Sequence, residues 1–429
     1  MAEVAVKSPA TPSGSGQNDG HNKEANLDHS GFDTDETVDS KGHAGVQNIQ
    51  AMASQSNSGA LKPYVTSAFQ SHSLTPTVDI FSSIIGGVFK LTLAKVLGVF
   101  GRPQGYLLFI IFLTMGLVMM AGCNGIKTYA AAQVFYWVGS NGVDFSLHIF
   151  IADTSALKNR GLMIAYASSP YIITTWITGY MTTAFLKGPG FRWGYGVFCI
   201  VTPAVTLPLF GLFMYYYYKA KHMGLVPKRE SNRKWRESTY HYAREFDAVG
   251  LLLITAGIAL FLLPFNIYSY QKEQWKAPII ICFFIFGGLL IIAFALWEKF
   301  FAPAKFLPYH ILTDRTVVGS SALAGAVFVS FYCWDAYFSG FIQVVNGLTV
   351  VEQTWMSSIY NTGSCLWSIP VGLFIRRYGR FKWLALFFGV GFTILGVGLM
   401  LKFRTVNTDV GYLVMCQIFI AFAGGTLVI

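Results

Sequence analysis

Apolar runs of membrane-spanning length recur along most of this chain. A helix needs about 20 residues to cross the hydrocarbon core of a bilayer. Because a backbone inside lipid must satisfy its own hydrogen bonds, such runs are predicted to be helices. The eleven runs are Val78–Phe100, Tyr106–Cys123, Tyr129–Ala152, Leu162–Phe185, Trp193–Tyr218, Ala248–Tyr268, Pro278–Trp297, Val317–Phe341, Thr354–Ile375, Trp383–Met400 and Val410–Ile429.

The composition agrees with this pattern. Only 12% of the 429 residues are charged and 53% are hydrophobic, whereas a soluble domain carries about 25% charged residues. The predicted fold class is therefore an all-α polytopic membrane protein. The six cysteines lie in or beside apolar runs without a CxxC pair, which favours buried thiols over metal ligands. We expect no cofactor and no metal.

The distribution of charge predicts domains and orientation. The polar, acidic residues 1–60 are expected to form a disordered tail. Lysine and arginine are concentrated in alternate loops, which places those loops and the N-terminus in the cytosol. The excess of basic residues next to apolar runs indicates contact with the lipid bilayer rather than with nucleic acid. The predicted domains are 1–60 (tail), 61–218 (N-terminal bundle without its first helix), 219–247 (basic cytosolic loop), 248–300 (two central helices) and 301–429 (C-terminal bundle without its last two helices).

A short polar hinge occurs twice between apolar runs. One copy runs from Ala94 to Arg102 and the other from Gly372 to Arg380, and both end in Gly-Arg. Internal repeats in a polytopic membrane protein indicate a transporter. If the two halves are equivalent, about 11 of an expected 14 helices are present. The candidate hinge residues are Gly101, Arg102, Arg376, Gly379 and Arg380.

Ionisable residues inside apolar runs are candidates for a substrate or proton pathway, because a charge in lipid costs several kcal/mol. Asp335 lies deep in its run and is the first candidate for a protonatable carboxylate. Asp144 is expected to face a cavity or an ion partner. Lys90 either belongs to the pathway or extends to the cytosolic interface.

Two further groups of residues complete the predicted site. Tyr332, Asp335 and Ser339 are spaced to share one helical face, and Trp334 accompanies them among the pathway candidates. Asp153 and Arg160 lie between two apolar runs, where they form either an ion-pair latch or a contact with substrate. The sequence carries no Walker A, HExxH or nucleophile-elbow motif, so nothing in it supports an enzyme.

The hinges resemble the loop signature of the major facilitator superfamily, small-x-x-x-Asp-Arg-x-Gly-Arg, although Gly98 replaces its aspartate. About residues 45–429 resemble the fungal siderophore–iron transporters, which are importers with fourteen helices. The similar stretches are Pro63–Gln70, Gly101–Gly105, Ile151–Thr154, Ser168–Trp176, Arg192–Gly196, Glu245–Leu251, Ser330–Ser339, Tyr360–Cys365, Gly379–Trp383 and Cys416–Leu427.

The resemblance implies the major facilitator fold and proton-coupled import of ferric siderophores by a monomer. It implies the plasma membrane, with endosomal or vacuolar membranes as alternatives. Two other functions stay open: a multidrug or small-solute exporter, and a non-transporting form that only binds. Leu162–Phe185 lacks the Gly-Pro-rich signature of drug exporters, which favours import. Because three helices are expected to be absent, the 429-residue chain is expected to be unstable and inactive in uptake.

Overall fold

A computed structural model describes residues 34–69, 75–224, 246–268, 271, 273–302, 313–335, 337–405 and 408–428. The chain divides into two compact units, residues 1–39 and 40–429, and the architecture below is that of the second unit. The described residues form helices and no strand. The predicted all-α class is therefore confirmed.

Fourteen main helices follow one another along the described chain. A short helical turn, Pro264–Ile267, follows α8, and a π-helical segment, Leu384–Val390, leads into α13. The helices are α1 Thr34–Ala68, α2 Thr75–Val99, α3 Arg102–Ala121, α4 Ile126–Thr154, α5 Leu157–Ser168, α6 Tyr171–Lys187, α7 Phe191–His222, α8 Ala248–Leu262, α9 Pro278–Phe300, α10 Arg315–Asp335, α11 Phe338–Val344, α12 Val350–Tyr378, α13 Gly391–Phe403 and α14 Val410–Leu427.

Each of the eleven apolar runs coincides with a helix or with two consecutive helical segments. Seven helices of the described residues are long and apolar enough to cross a membrane. The remaining runs lie in helices that are shorter (α8), interrupted (α5 and α6) or interspersed with polar residues (α4 and α12). The chain is thus a multi-pass membrane protein.

Helix α1 corrects the prediction that residues 1–60 are disordered. It begins at Thr34, and one face of it is buried from Gln47 onward. The composition is misleading because the buried residues up to position 60 are polar, and several of them form hydrogen bonds within the bundle. Gln50 Nε2 donates to Thr202 Oγ1 at 2.6 Å, and Asn57 Nδ2 donates to the Gly194 carbonyl at 3.0 Å. The prediction for residues 1–33 lies outside the described residues.

The N-terminal bundle consequently contains six helical segments, counting α5 and α6 as one. The expectation that this bundle lacks its first helix does not hold, because α1 packs in it ahead of α2. Its members are brought together by one hydrophobic core. The core includes Leu61, Leu93, Tyr106, Phe109, Leu113, Tyr136, Leu147, Tyr195 and Leu209.

Helices α3 and α4 make the tightest crossing in the N-terminal bundle. A Cβ added at Gly139 would lie 2.2 Å from the backbone nitrogen of Leu113, and one at Gly116 would lie 2.4 Å from that of Tyr136. Only glycine fits at both positions, because the facing atoms are backbone. This crossing fixes the position of α4, which carries Asp144.

Helices α10 to α14 surround a second hydrophobic core. Close approach again depends on glycine: a Cβ at Gly425 of α14 would lie 2.5 Å from the Ser364 carbonyl oxygen of α12. The core residues are Trp334, Phe338, Ile342, Met356, Met400, Leu413, Cys416 and Ile420.

The central helices α8 and α9 lie between the two bundles in the sequence, and they pack against each other. A Cβ at Gly287 would lie 2.7 Å from the backbone nitrogen of Phe261, so the two helices touch along their backbones. Asp247 begins α8 in the left-handed conformation, with φ of 47°. Its Oδ1 accepts a hydrogen bond of 2.8 Å from Trp297 Nε1 at the end of α9. This buried carboxylate therefore ties the start of the pair to its end.

Candidate functional site

Helix α12 forms the contact between the two bundles. At one end of this seam, a Cβ on Gly372 would lie 2.9 Å from the Cα of Leu162 in α5. In the middle, Thr362 Oγ1 donates to Thr175 Oγ1 of α6 at 3.3 Å. The seam thus runs along both α5 and α6, and any opening between the bundles must change it.

Aromatic rings pack at the other end of the seam. The ring of Trp355 in α12 lies 5.7 Å from that of Trp176 and 5.8 Å from that of Tyr180, measured between centroids. Rings at this separation attract each other by about 0.5–1.5 kcal/mol beyond their buried area. The aromatic end and the glycine end together hold α12 against α5 and α6.

The hinge and latch candidates meet at the start of α3 and the end of α4. Arg102 forms an ion pair with Asp153, and Arg160 Nη2 donates to the Ala152 carbonyl at 2.8 Å. The predicted Asp153–Arg160 latch is therefore wrong in its partner. Arg160 instead binds a free carbonyl at the C-terminal end of α4, where a cation is favoured by the helix dipole.

The two hinge glycines share a backbone property. Gly101 has φ of 99° and begins α3, and Gly379 has φ of 66° and ends α12. Both values are in the left-handed region that favours glycine. The Arg376 and Arg380 side chains of the second hinge are exposed, and the described residues show no ion pair for either.

A double-mutant cycle on Arg102 and Asp153 tests the ion pair. Because the two side chains are 59% and 39% exposed, water screens their attraction, and we expect a coupling free energy of about 0.2–1 kcal/mol. Denaturant unfolding of Arg102→Ala, Asp153→Ala and the double variant measures it. The matched cycle between Arg380→Ala and Asp153→Ala should show no coupling. Purely additive effects of Arg102→Ala and Asp153→Ala would refute the pair.

Asp144 lines a polar cavity of about 170 Å³ between α1, α4 and α6. The Tyr171 hydroxyl at the start of α6 donates to Gln55 Oε1 of α1 at 3.0 Å. One turn along α4, His148 Nδ1 lies 3.7 Å from Asp144 Oδ1. The cavity-facing alternative predicted for Asp144 therefore agrees with its position.

The predicted helical face around Asp335 is interrupted. Helix α10 ends at Asp335 and α11 begins at Phe338, so the spacing from Tyr332 to Ser339 no longer defines one face. Trp334 is 6% exposed and belongs to the second core, while Tyr332 is exposed. The side chain of Ser339 lies outside the described residues. Arg404 Nη1 donates to the Trp334 carbonyl at 3.1 Å, which satisfies one backbone oxygen beside the interruption.

The predicted site residues lie in separate parts of the structure. Arg102, Asp153 and Arg160 meet at the end of α4, whereas Asp144 lines the cavity between α1, α4 and α6, and Asp335 ends α10. Lys90 is exposed on α2. The described residues contain no group of three or more histidine, cysteine, aspartate or glutamate side chains that could hold a metal.

Comparison with known proteins decides the family. Residues 55–409 match the family described as the fungal trichothecene efflux pump (TRI12). The chain belongs to the TRI12 family of the major facilitator superfamily. The resemblance to fungal siderophore–iron transporters is also confirmed by the relatives of this TRI12-family chain.

The TRI12-family chain is 58% identical over 375 residues to "MFS siderochrome iron transporter 1" of Ajellomyces capsulatus, covering 87% of this chain and 64% of that protein. It is 44% identical over 363 residues to "Siderochrome iron transporter 2" of Aspergillus fumigatus, covering 85% and 60%. The chain therefore spans less than two thirds of the length of these relatives.

A solved structure supports the fold of the TRI12-family chain. The proton:xylose symporter XylE of the major facilitator superfamily, bound to 6-bromo-6-deoxy-D-glucose, superposes with a TM-score of 0.54 at 13% identity. The match covers 92% of this chain and 81% of that one. This likeness establishes the major facilitator fold.

One cavity of the TRI12-family chain has no counterpart in the sequence analysis. It measures about 470 Å³ and lies between α6, α12 and the start of α14, beside Trp176 and Trp355. Glu352 lines it and forms a capping box with Thr349. Hydrogen bonds from the Thr349 backbone N–H and hydroxyl hold the pKa of Glu352 below its usual range. The Thr-x-x-Glu spacing was a readable signal for the start of α12.

Proposed function

We propose that this TRI12-family chain takes part in the import of ferric siderophores across a membrane. The observation that carries the proposal is the 58% identity, over 375 residues, to a protein named as a siderochrome iron transporter. The fold supports it, since facilitator proteins move substrates by rocking two bundles about a central site. In this chain α12 is the element along which the bundles would separate.

Proton coupling is part of the proposal, with Asp335 as the carboxylate that takes up the proton. Its position supports this role, because it ends α10 at the interruption before α11 and is only partly exposed. An acid among apolar helices is costly unless it serves a pathway. Asp144, Lys90 and Tyr332 remain further pathway candidates, whereas the core position of Trp334 favours a packing role.

The proposal includes a monomer in the plasma membrane, with endosomal or vacuolar membranes as alternatives. It also includes a cytosolic N-terminus, supported by the concentration of lysine and arginine in alternate loops. The basic segment 219–247 should then be reached by a membrane-impermeant cysteine reagent only after cells are permeabilised. Efficient labelling of a cysteine in that segment on intact cells would reverse the orientation.

Uptake of radiolabelled ferric siderophore tests the proposal in cells that lack their own siderophore transporters. In a version of the chain extended to the length of its relatives, in which the variants are also made, we expect inward flux that rises as the outside pH is lowered from 7.5 to 5.5. The Asp335→Asn variant, which cannot carry the proton, should lose uptake or its pH dependence. The control Asp409→Asn changes an exposed acid at the start of α14 and should behave like the parent.

The outcomes of this experiment test the role of Asp335 and distinguish an importer from an exporter and from a non-transporting form. Normal pH-dependent uptake by Asp335→Asn would remove that residue from the proton pathway. An exporter is the second candidate, because the matching family is described as an efflux pump. Faster loss of substrate from preloaded cells, without inward flux, would favour it. Binding of ferric siderophore without flux in either direction would indicate a non-transporting form.

A further inference from the structure

We propose that the cavity between α1, α4 and α6 binds a primary ammonium group. The inference goes beyond siderophore uptake, because it assigns a ligand of a different chemical class to a cavity of which only Asp144 is a candidate for the proposed pathway. It rests on which atoms line the cavity and on which of them already have partners within the chain.

Three of the amide groups around the cavity each direct one N–H donor away from it. Asn48 Nδ2 donates to the Ala167 carbonyl at 3.0 Å, and Asn141 Nδ2 donates to the Trp137 carbonyl at 2.8 Å. The Nε2 atom of Gln50 likewise donates to Thr202, so one N–H of each amide is occupied within the chain and the amide oxygens are left as acceptors. These oxygens, together with the Asp144 carboxylate, can accept hydrogen bonds from a ligand that carries several donors.

The side-chain oxygen of Gln50 lacks a hydrogen-bond donor within the part of the chain that the structure describes. Gln50 is 95% buried, since 5% of its surface is exposed, and its Oε1 has no hydrogen-bond partner among the described residues. Leaving a buried acceptor unpaired costs about 1–3 kcal/mol. A donor that entered the cavity would recover this cost, which distinguishes the site from a chance gap between helices.

Asp144 adds a negative charge at the open side of the same cavity, where its side chain is 65% exposed. Tyr136 and Tyr171 contribute aromatic faces, which also attract cations. An ammonium group carries both the charge and the three N–H donors that this lining accepts. The volume of about 170 Å³ admits a small molecule of several heavy atoms.

Four groups nearby do not favour the ligand in the same way. Gln55 lines the cavity, but its Oε1 already accepts from the Tyr171 hydroxyl, and its Nε2 is a donor. Trp137 lines the cavity with a buried indole N–H that has no partner in the described part of the chain, and this donor is left for water. Lys62 is not among the lining residues, but its ammonium lies 5.5 Å from the Trp137 ring. His148 lies beside the same carboxylate, with its Nδ1 3.7 Å from Asp144 Oδ1.

Isothermal titration of the purified full-length chain with n-propylammonium at pH 8 tests the proposal. Tetramethylammonium has the same charge without N–H donors, and potassium is an inorganic cation without them. We expect tetramethylammonium to bind at least tenfold more weakly and potassium not to displace n-propylammonium. Equal binding of tetramethylammonium, or displacement by potassium, would overturn the assignment to an ammonium group.

Two variants place the ligand in this cavity. Asp144→Asn removes the charge from an exposed position without disturbing packing, and Gln50→Leu removes the unpaired oxygen. Each should weaken n-propylammonium binding at least tenfold. The matched control is Gln47→Leu, which also deletes a buried amide and a hydrogen bond of α1, here to Tyr106, but does not line the cavity. It should bind within twofold of the parent.

Unchanged affinity in Asp144→Asn would exclude this cavity as the site. Equal losses in Gln50→Leu and Gln47→Leu would show a general effect on α1 and would likewise overturn the proposal. Because binding is measured on the purified protein, its failure leaves the test of siderophore uptake intact, and the reverse also holds.

Discussion

Replacing Gly139 by leucine is expected to abolish the folded N-terminal bundle. A Cβ at this position would lie 2.2 Å from the backbone nitrogen and 2.5 Å from the Cα of Leu113. Neither helix can retreat, because Gly116 holds the same pair of backbones together one contact away. Overpacking a fitted core costs about 1–3 kcal/mol even where side chains can adjust, and here the obstacle is backbone. Size-exclusion profile and thermal unfolding in detergent measure the loss.

The control for this substitution is Gly87→Leu in α2. Gly87 is exposed, and nothing lies within 4 Å of the Cβ that would be added there. Its unfolding temperature should match that of the parent. If Gly139→Leu also unfolded at the parent's temperature, the close crossing of α3 and α4 would be refuted.

The second large effect is expected from Asn57→Ala in α1. Asn57 is completely buried; it donates to the Gly194 carbonyl at 3.0 Å and accepts from Thr182 Oγ1 at 3.2 Å. Alanine removes both hydrogen bonds and leaves the Thr182 hydroxyl without its Asn57 acceptor, and a buried group that loses its partner costs about 1–3 kcal/mol. The free energy of unfolding should therefore fall by about 2–4 kcal/mol.

Gly59→Ala is the matched control on the same helix. Gly59 is exposed with open space around it, so alanine there should leave stability unchanged or raise it by about 0.5–1 kcal/mol. If Asn57→Ala and Gly59→Ala both had the stability of the parent, the residues around 57 would form no packed helix, and the prediction of a disordered tail from composition would be correct.

The sequence predicts the transmembrane part well because one physical requirement dominates it. A helix that crosses lipid must be apolar over about 20 residues, and this can be read without knowing any contact. The same reasoning does not identify helix α1. Its buried face includes the polar residues Gln47, Gln50, Ser54 and Asn57, and polar residues are buried only where partners from distant segments are in place.

The candidate site is likewise predicted only in part: the sequence shows which residues are charged, but not which of them meet. The charged residues Arg102, Asp153 and Arg160 are recognisable by type, but the pairing of Arg102 with Asp153 depends on the start of α3 lying beside the end of α4. Asp144 is recognisable as an acid within an apolar run. The other walls of its cavity come from the segment that composition predicts to be disordered.

The spacing of residues along the sequence does not predict the interruption between α10 and α11. The residues from Asp335 to Phe338 contain neither glycine nor proline, and periodicity therefore continues across them. The end of α10 is stabilised from outside, since Arg404 binds the Trp334 carbonyl from a position 70 residues away. This contact with a distant arginine cannot be derived from the local sequence.

The way in which α1 is held has a consequence for biosynthesis. Its anchoring hydrogen bonds reach α3, α6 and α7, so it has nowhere to dock until those helices have been inserted and brought together. A helix this rich in asparagine, glutamine and serine also gains nothing from entering lipid alone. Of the helices described, we expect the first to leave the ribosome to be among the last to reach its place, and its polar face stays without its native partners during that interval.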